Sequence, residues 1–278
     1  LLLIINKLAI SETQSPSFLL FCQLLSSAFI IYCLSASGVI HLERLKLRVL
    51  SNYWVVACAF LAALYTNART LQYGNVETFI VFRSSTPILI SILDFLFLGR
   101  ELPTVRSGLS LALMLGGSVI YVLTDSNFEV RAYGWVCIWY FVFAFDQVYI
   151  KYIVDNVELS VWGRSFVTNL LAVFPVALIG LFTGEVMTVA GIHWNFRTVS
   201  SLVLSCLVGL AMSFSAFQLR GLVSATTFTV IGTLCKIGTV IINCLIWDNH
   251  ATPEGLVALS VCIIAGVFYK QAPLRTAS

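Results

Sequence analysis

Apolar residues fill this chain in long, nearly unbroken runs, and the polar positions gather in the short breaks between them. Taken in order, runs and breaks predict ten helical segments, at about 1–10, 17–40, 50–72, 75–98, 105–124, 132–153, 160–184, 198–219, 222–246 and 254–270. Several of the runs exceed the ~18 residues above which an uninterrupted apolar stretch reads as a membrane-spanning helix. The first, Leu1–Ile10, covers about half of such a span and has neither the basic leader nor the small-residue cleavage site of a signal peptide, so it is read as part of a helix. The expected fold is all-α, a polytopic membrane protein with ten transmembrane helices.

Composition narrows the class. Hydrophobic residues make up 59% of the chain and charged residues 10%, too little charge to cover a soluble domain of this length. The short alternating segments of an outer-membrane barrel are absent. The eight cysteines (Cys22, Cys33, Cys58, Cys137, Cys206, Cys235, Cys244 and Cys262) all fall inside predicted helices, as packing residues rather than a disulfide framework or a metal site. His41, His193 and His250 are scattered over loops on both sides, so no metal cluster is expected. No Walker loop, nucleophile–base pair or pair of catalytic carboxylates is legible, which argues against a pump or an enzyme and implies no cofactor.

Charge orients the chain. Ten basic residues (Arg44, Lys46, Arg48, Arg100, Arg106, Lys151, Arg164, Arg220, Lys270 and Arg275) fall on one side and only Arg131 and Arg197 on the other, which predicts both termini in the cytosol. A faint repeat runs through the order of segments. Gly74-Asn75-Val76-Glu77 opens the fourth as Gly221-Leu222-Val223-Ser224 opens the ninth, and the segments that follow share Pro103 and Pro253, then Gly117 with Tyr121 and Gly266 with Tyr269. Two five-helix repeats, 1–128 and 129–278, are expected within one membrane domain. Five is odd, so the repeats are inverted, an arrangement that places a binding site near the midplane and supports alternating access.

Four of the basic residues lie inside spans, and these carry the chemistry. Lys236 stands near the middle of Ser224–Ile246. A charge there costs roughly 2.5–3.5 kcal/mol on insertion scales, so it is expected to face protein or a wet cavity. At 100° per residue, Thr229, Gly232, Thr233, Lys236, Val240 and Asn243 share one arc, a small and polar wall with a cation in it. Its reading is an anion site; the bland alternatives are snorkelling to the interface and pairing with a structural carboxylate. Arg83 occupies nearly the same place in the first half, one turn before Pro87, and is the candidate second cation. In the third segment Tyr65, Arg69 and Gln72 share a face with Asn67 beside them; for Arg69, substrate contact and a salt bridge to Glu77 stand open together. In the sixth, Tyr140 and Gln147 form a stripe that ends at Lys151, which is expected to snorkel. In the seventh, Asn169 suits a base edge or a sugar hydroxyl, and equally a helix–helix hydrogen bond.

These residues resemble the nucleotide-sugar transporters of the drug/metabolite transporter superfamily, over nearly the whole chain. Leu71-Gln72-Tyr73 followed by Phe82-Arg83 looks like that family's third-to-fourth helix junction. Phe166-Val167-Thr168-Asn169-Leu170-Leu171 is similar to the F-Y-N-N-L-L motif of Golgi GDP-mannose transporters, and Gly232-Thr233-Leu234-Cys235-Lys236 to their G-A-L-N-K motif. The resemblance implies that Phe166, Thr168 and Asn169 read the base, while Gly232, Thr233, Leu234 and Lys236 hold sugar and phosphates. Val167 and Thr168 stand where the family has Tyr and Asn, and Thr233 and Cys235 where it has Ala and Asn, departures that bear on guanine and on mannose. The implied function is exchange of a cytosolic GDP-sugar for GMP across the Golgi membrane, with membrane lipid but no nucleic acid as a partner and a homodimer left open. The alternatives are another nucleotide sugar or a triose or hexose phosphate in the same fold, and, from another class, a scaffold or receptor that transports nothing.

Overall fold

The structure, a computed structural model, describes residues 5–6, 9, 12–43, 47–73, 76–124, 130–192, 194–246, 261 and 264–275; within it, side chains are not described at 48, 68–69, 71–73, 76–81, 117–124, 130–132, 186 and 236–246. The regular structure among the described residues is helical, apart from one isolated antiparallel bridge between Arg100 and Leu274. The helices are α1 (Pro16–Ala36), α2 (Leu47–Tyr73), α3 (Val76–Phe97), α4 (Val105–Thr124), α5 (Val130–Asn156), α6 (Val161–Phe182), α7 (Glu185–Ala190), α8 (Phe196–Leu222) and α9 (Ala225–Ile246). Five stretches among the described residues, Pro16–Ala36, Val49–Asn67, Tyr133–Asn156, Val161–Phe182 and Phe196–Leu222, are long and apolar enough to cross a membrane. The short α7 interrupts what hydropathy alone reads as loop. Gly184, at φ +75°, turns the chain into it in a conformation that favours a residue without a side chain.

The chain forms two compact units, each drawing on both halves of the sequence: Leu1–Leu61 with Ile153–Gly221, and Ala62–Tyr152 with Leu222–Ser278. In the first, α1 packs along α6, and both helix starts are held by carboxylates from elsewhere in the chain. A helix start leaves backbone N–H groups without partners and favours a nearby negative charge. At α1, Glu185 accepts bonds from Ser15 Oγ (2.6 Å), Ser17 N (2.9 Å) and Ser17 Oγ (3.0 Å). At α6, Glu43 accepts from Ser160 N at 2.7 Å and Ser160 Oγ at 3.1 Å, while Ser160 Oγ caps Gly163 N. A Cβ at Gly163 would lie 2.5 Å from Glu43 Oε2, so the absence of a side chain there makes room for the carboxylate. The far end of α5 is closed by Arg164, whose Nη2 donates to Val154 O at 2.7 Å. Between these ends Gln23 of α1 donates to Asn6 Oδ1 and to Ser205 Oγ of α8, a polar fastener of the kind that joins helices in lipid.

The carboxylate at α1 gives a measurable expectation. Glu185→Ala should destabilise the protein by about 1–3 kcal/mol, since three bonds to one carboxylate are lost together. Glu185→Gln, which keeps acceptor oxygen at the same place, should lose less. Thermal unfolding in detergent checks both.

The second unit is built on α3, against which both α4 and α9 pack. One core cluster joins Ile90, Trp139, Phe143, Ala144, Val148 and Ala225, and another joins Leu111, Met114, Val230 and Ala265. Gly266 lets Leu234 of α9 approach closely: a Cβ there would meet Leu234 Cδ2 at 2.8 Å. The segment after the last helical run, 264–268, is tied back onto the α3–α4 connection. Arg100 donates to Ala272 O, Arg275 donates to Arg100 O and Phe95 O, and Ser107 Oγ both donates to Lys270 O and accepts from Lys270 N.

Candidate functional site

Pro87 interrupts the hydrogen-bond ladder of α3, and the local consequences surround Arg83. Proline has no N–H to offer the carbonyl four residues back, which is that of Arg83. The hydroxyl of Thr86 fills the gap, donating to Arg83 O at 2.7 Å. Within the same turn, Tyr140 of α5 donates its hydroxyl to Ser85 O at 3.1 Å, locking α5 to this stretch. The helix is thus kept intact across its proline, and Arg83 is presented from a fixed backbone.

The Arg83 side chain has aromatic company and, among the described residues, no acid. Its Cζ stands 4.7 Å from the centroid of Phe143, whose ring is itself stacked on Trp139 at 5.0 Å and 20°. Among the described residues no carboxylate pairs with it, and its buried Nε has no hydrogen-bond partner. Cation–π contact supplies roughly 0.5–2 kcal/mol, which is less than the cost of keeping a guanidinium away from water. An arginine so held has donors to spare for an anion.

Three further polar atoms of this unit are buried without partners among the described residues: Asn67 Oδ1 on α2, Asp94 Oδ1 on α3 and Thr233 Oγ1 on α9. Thr233 is 1% exposed, and a Cβ built at neighbouring Gly232 meets no heavy atom within 4 Å, so α9 is flanked there by open space. Thr229 is also buried, and its hydroxyl returns to Ala225 O at 2.8 Å. Leu234 instead packs toward Gly266 and the Leu111–Met114–Val230–Ala265 cluster. Lys236 and Asn243 lie on α9, and Arg69 on α2; their side chains fall outside the described residues. Tyr65 is exposed and meets Trp135 edge-on at 6.0 Å. Gln147 is buried, its amide donating to Asp146 Oδ2 at 2.8 Å.

Lys151 corrects an expectation. It is 4% exposed, and so does not reach out to headgroups; Asp94 lies within electrostatic reach of it and of Arg100. A nearby carboxylate offsets the burial that snorkelling would otherwise relieve.

In the first unit the seventh predicted segment becomes α6, and its motif residues part company. Asn169 is buried and its amide nitrogen donates to Ser165 Oγ (3.4 Å) and Ser213 Oγ (3.2 Å), fastening α6 to α8. Of the two roles that sequence leaves open for this amide, the helix–helix bond is the one visible here. Thr168 Oγ1, next to it, is buried without a partner, and Phe166 is half-buried.

Arg83 stands out in the sequence by its position, whereas the ring of Phe143 and the carboxylate grips are contacts between distant segments that the sequence does not show. Pro87 was the one local signal for the Thr86 bond.

Comparison with known proteins adds the following. Residues 1–270 match the model of a family described as the Triose-phosphate Transporter family. A protein named GDP-fucose transporter 1, from Arabidopsis thaliana, is 39% identical over 98% of this chain and 82% of its own length. GDP-mannose transporter GONST3, from the same plant, is 38% identical over 99% of this chain and 76% of its own. One solved crystal structure superposes with a TM-score of 0.66 over 96% of this chain and 94% of that one, at 14% identity, which establishes the shared fold alone.

Proposed function

Because the chain belongs to the Triose-phosphate Transporter family, we propose that it is a nucleotide-sugar antiporter that moves a GDP-sugar from the cytosol into the Golgi lumen in exchange for GMP. The observation that carries this is Arg83, a cation inside the apolar helix α3 with no acid beside it among the described residues. Such a group is costly in a membrane unless it serves a ligand or a path. Phosphate fits a planar guanidinium with free donors, and a nucleotide sugar and its monophosphate product share that chemistry.

The relatives support guanine nucleotides and leave the sugar open, since two that match nearly all of this chain at nearly equal identity are named for fucose and for mannose. A terminal phosphate has a second pKa of about 6, so GMP and a GDP-sugar both carry about two negative charges at neutral pH. Exchange one for one therefore moves little net charge. A phosphate site engaged by both ligands during reorientation makes exchange obligatory. Ten spans in two inverted repeats, with the basic loops and both termini in the cytosol, complete the proposal.

The family description gives a second reading some support, transport of a smaller sugar phosphate. Competition separates the two. Uptake of labelled GDP-sugar by reconstituted protein loaded with GMP should be inhibited by external GMP and little by triose or hexose phosphates. Inhibition by sugar phosphates alone would install the second reading. Absence of any exchange, in protein shown to be folded, would favour a scaffold or receptor.

A further inference from the structure

We infer that Asp94 is a positioning residue: its bonds to Thr226 pin α9 to α3 in the register that brings Arg83 and Lys236 to the same depth. The inference rests on the proposed phosphate-binding role of the two cations.

Asp94 closes the α3 side of the contact. It is 2% exposed, and its Oδ2 accepts from Thr226 N at 3.0 Å and Thr226 Oγ1 at 2.6 Å, at the first turn of α9. The carboxylate therefore satisfies a backbone donor at the helix start and favours its positive end. From the other side, Gln271 Oε1 accepts from Ser224 N (3.3 Å) and Thr227 Oγ1 (3.1 Å). Gln271 belongs to the segment that Arg100, Ser107 and Arg275 tie to the α3–α4 connection. The start of α9 is thus held twice, directly by α3 and through the strap that follows the last helix.

The register follows by counting. Back along α3 from Asp94, Ile88 packs on the cluster that contains Val230 and that Leu234 also packs against, so the two helices run antiparallel from the Asp94–Thr226 rung. Arg83 lies eleven residues back from Asp94 and Lys236 ten residues on from Thr226. At ~1.5 Å per residue both stand about 15–16 Å from the rung. A slip of α9 by one turn would separate their depths by about 5 Å, the helix pitch, and a phosphate could not then be shared.

The test compares inhibition by GMP, which carries the phosphate, with inhibition by guanosine, which does not. Asp94→Ala should raise the GMP inhibition constant about tenfold or more, as misplaced binding groups do, and leave that of guanosine unchanged. Asp94→Asn keeps an oxygen for both Thr226 bonds but removes the charge beside Lys151 and Arg100, so it should raise the GMP constant less than Asp94→Ala does. Thr226→Val keeps the backbone bond only and should fall between; combined with Asp94→Ala, it should add nothing further. Were Asp94→Ala to unfold, Thr226→Val alone would decide. An unchanged GMP constant in these variants, an equal rise for GMP and guanosine, or additive effects in the double variant would overturn the inference. Failure of GMP to inhibit the parent protein would instead count against the proposed function.

Discussion

Arg83→Ala should abolish nucleotide-sugar exchange, by about 100-fold or more, in a protein at least as stable as the parent. The two halves of that expectation have one cause. Removing one partner of a buried, hydrogen-bonded charge pair typically costs 2–5 kcal/mol of binding, and in the proposed complex the phosphate is the partner of Arg83. In the ligand-free protein no acid among the described residues pays attention to that guanidinium, so its removal relieves desolvation and forfeits only the contact with Phe143. Arg83→Lys should retain part of the activity, because an ammonium supplies the charge but not the planar, paired donors. Loss of exchange accompanied by a large drop in melting temperature would identify Arg83 as structural.

Lys236→Ala should have a comparable effect. Lys236 sits on α9, three residues past the unpartnered hydroxyl of Thr233 and four past the open space at Gly232. An apolar residue at that depth is cheaper than a lysine by roughly 2.5–3.5 kcal/mol on insertion scales, so the protein should remain folded. Exchange in proteoliposomes should be lost for GDP-sugar and GMP alike. Normal exchange by Lys236→Ala would remove this residue from the site and leave Arg83 to act with another cation.

Much of the architecture was legible because hydropathy reports burial in lipid directly. The predicted segment 105–124 coincides with α4, and the ninth segment differs from α9 only at its start. That start lies three residues later than the hydropathy run because Ser224 caps it, its hydroxyl accepting from Thr227 N, while Asp94 and Gln271, far away in sequence, hold the same turn. The other carboxylate grips, Glu185 on α1 and Glu43 on α6, escaped for the same reason, since a charged residue in a loop gives no sign of which helix end it serves.

The candidate site was legible in part. Arg83 could be picked out because a cation in an apolar run is expensive wherever it lies, but its ring partner Phe143 looked like any other apolar residue of its span. Leu234 of the 232–236 motif packs toward Gly266, a direction that sequence spacing does not encode. Asn169 offered two uses for one amide; Ser165 and Ser213 hold it, and Ser213 lies 44 residues away. Lys151 was expected at the surface because it stands near the end of its run, and the acid that accompanies its burial, Asp94, comes from a different helix.

The most direct measurement is the dissociation constant of GMP for the parent protein and for Arg83→Ala in detergent, with guanosine as the uncharged control. The expected result is GMP binding weakened by about 100-fold with guanosine unaffected, which corresponds to the loss of one charge-assisted phosphate contact of about 2.7 kcal/mol. Equal affinity of the two proteins for GMP would contradict the phosphate-binding role of Arg83.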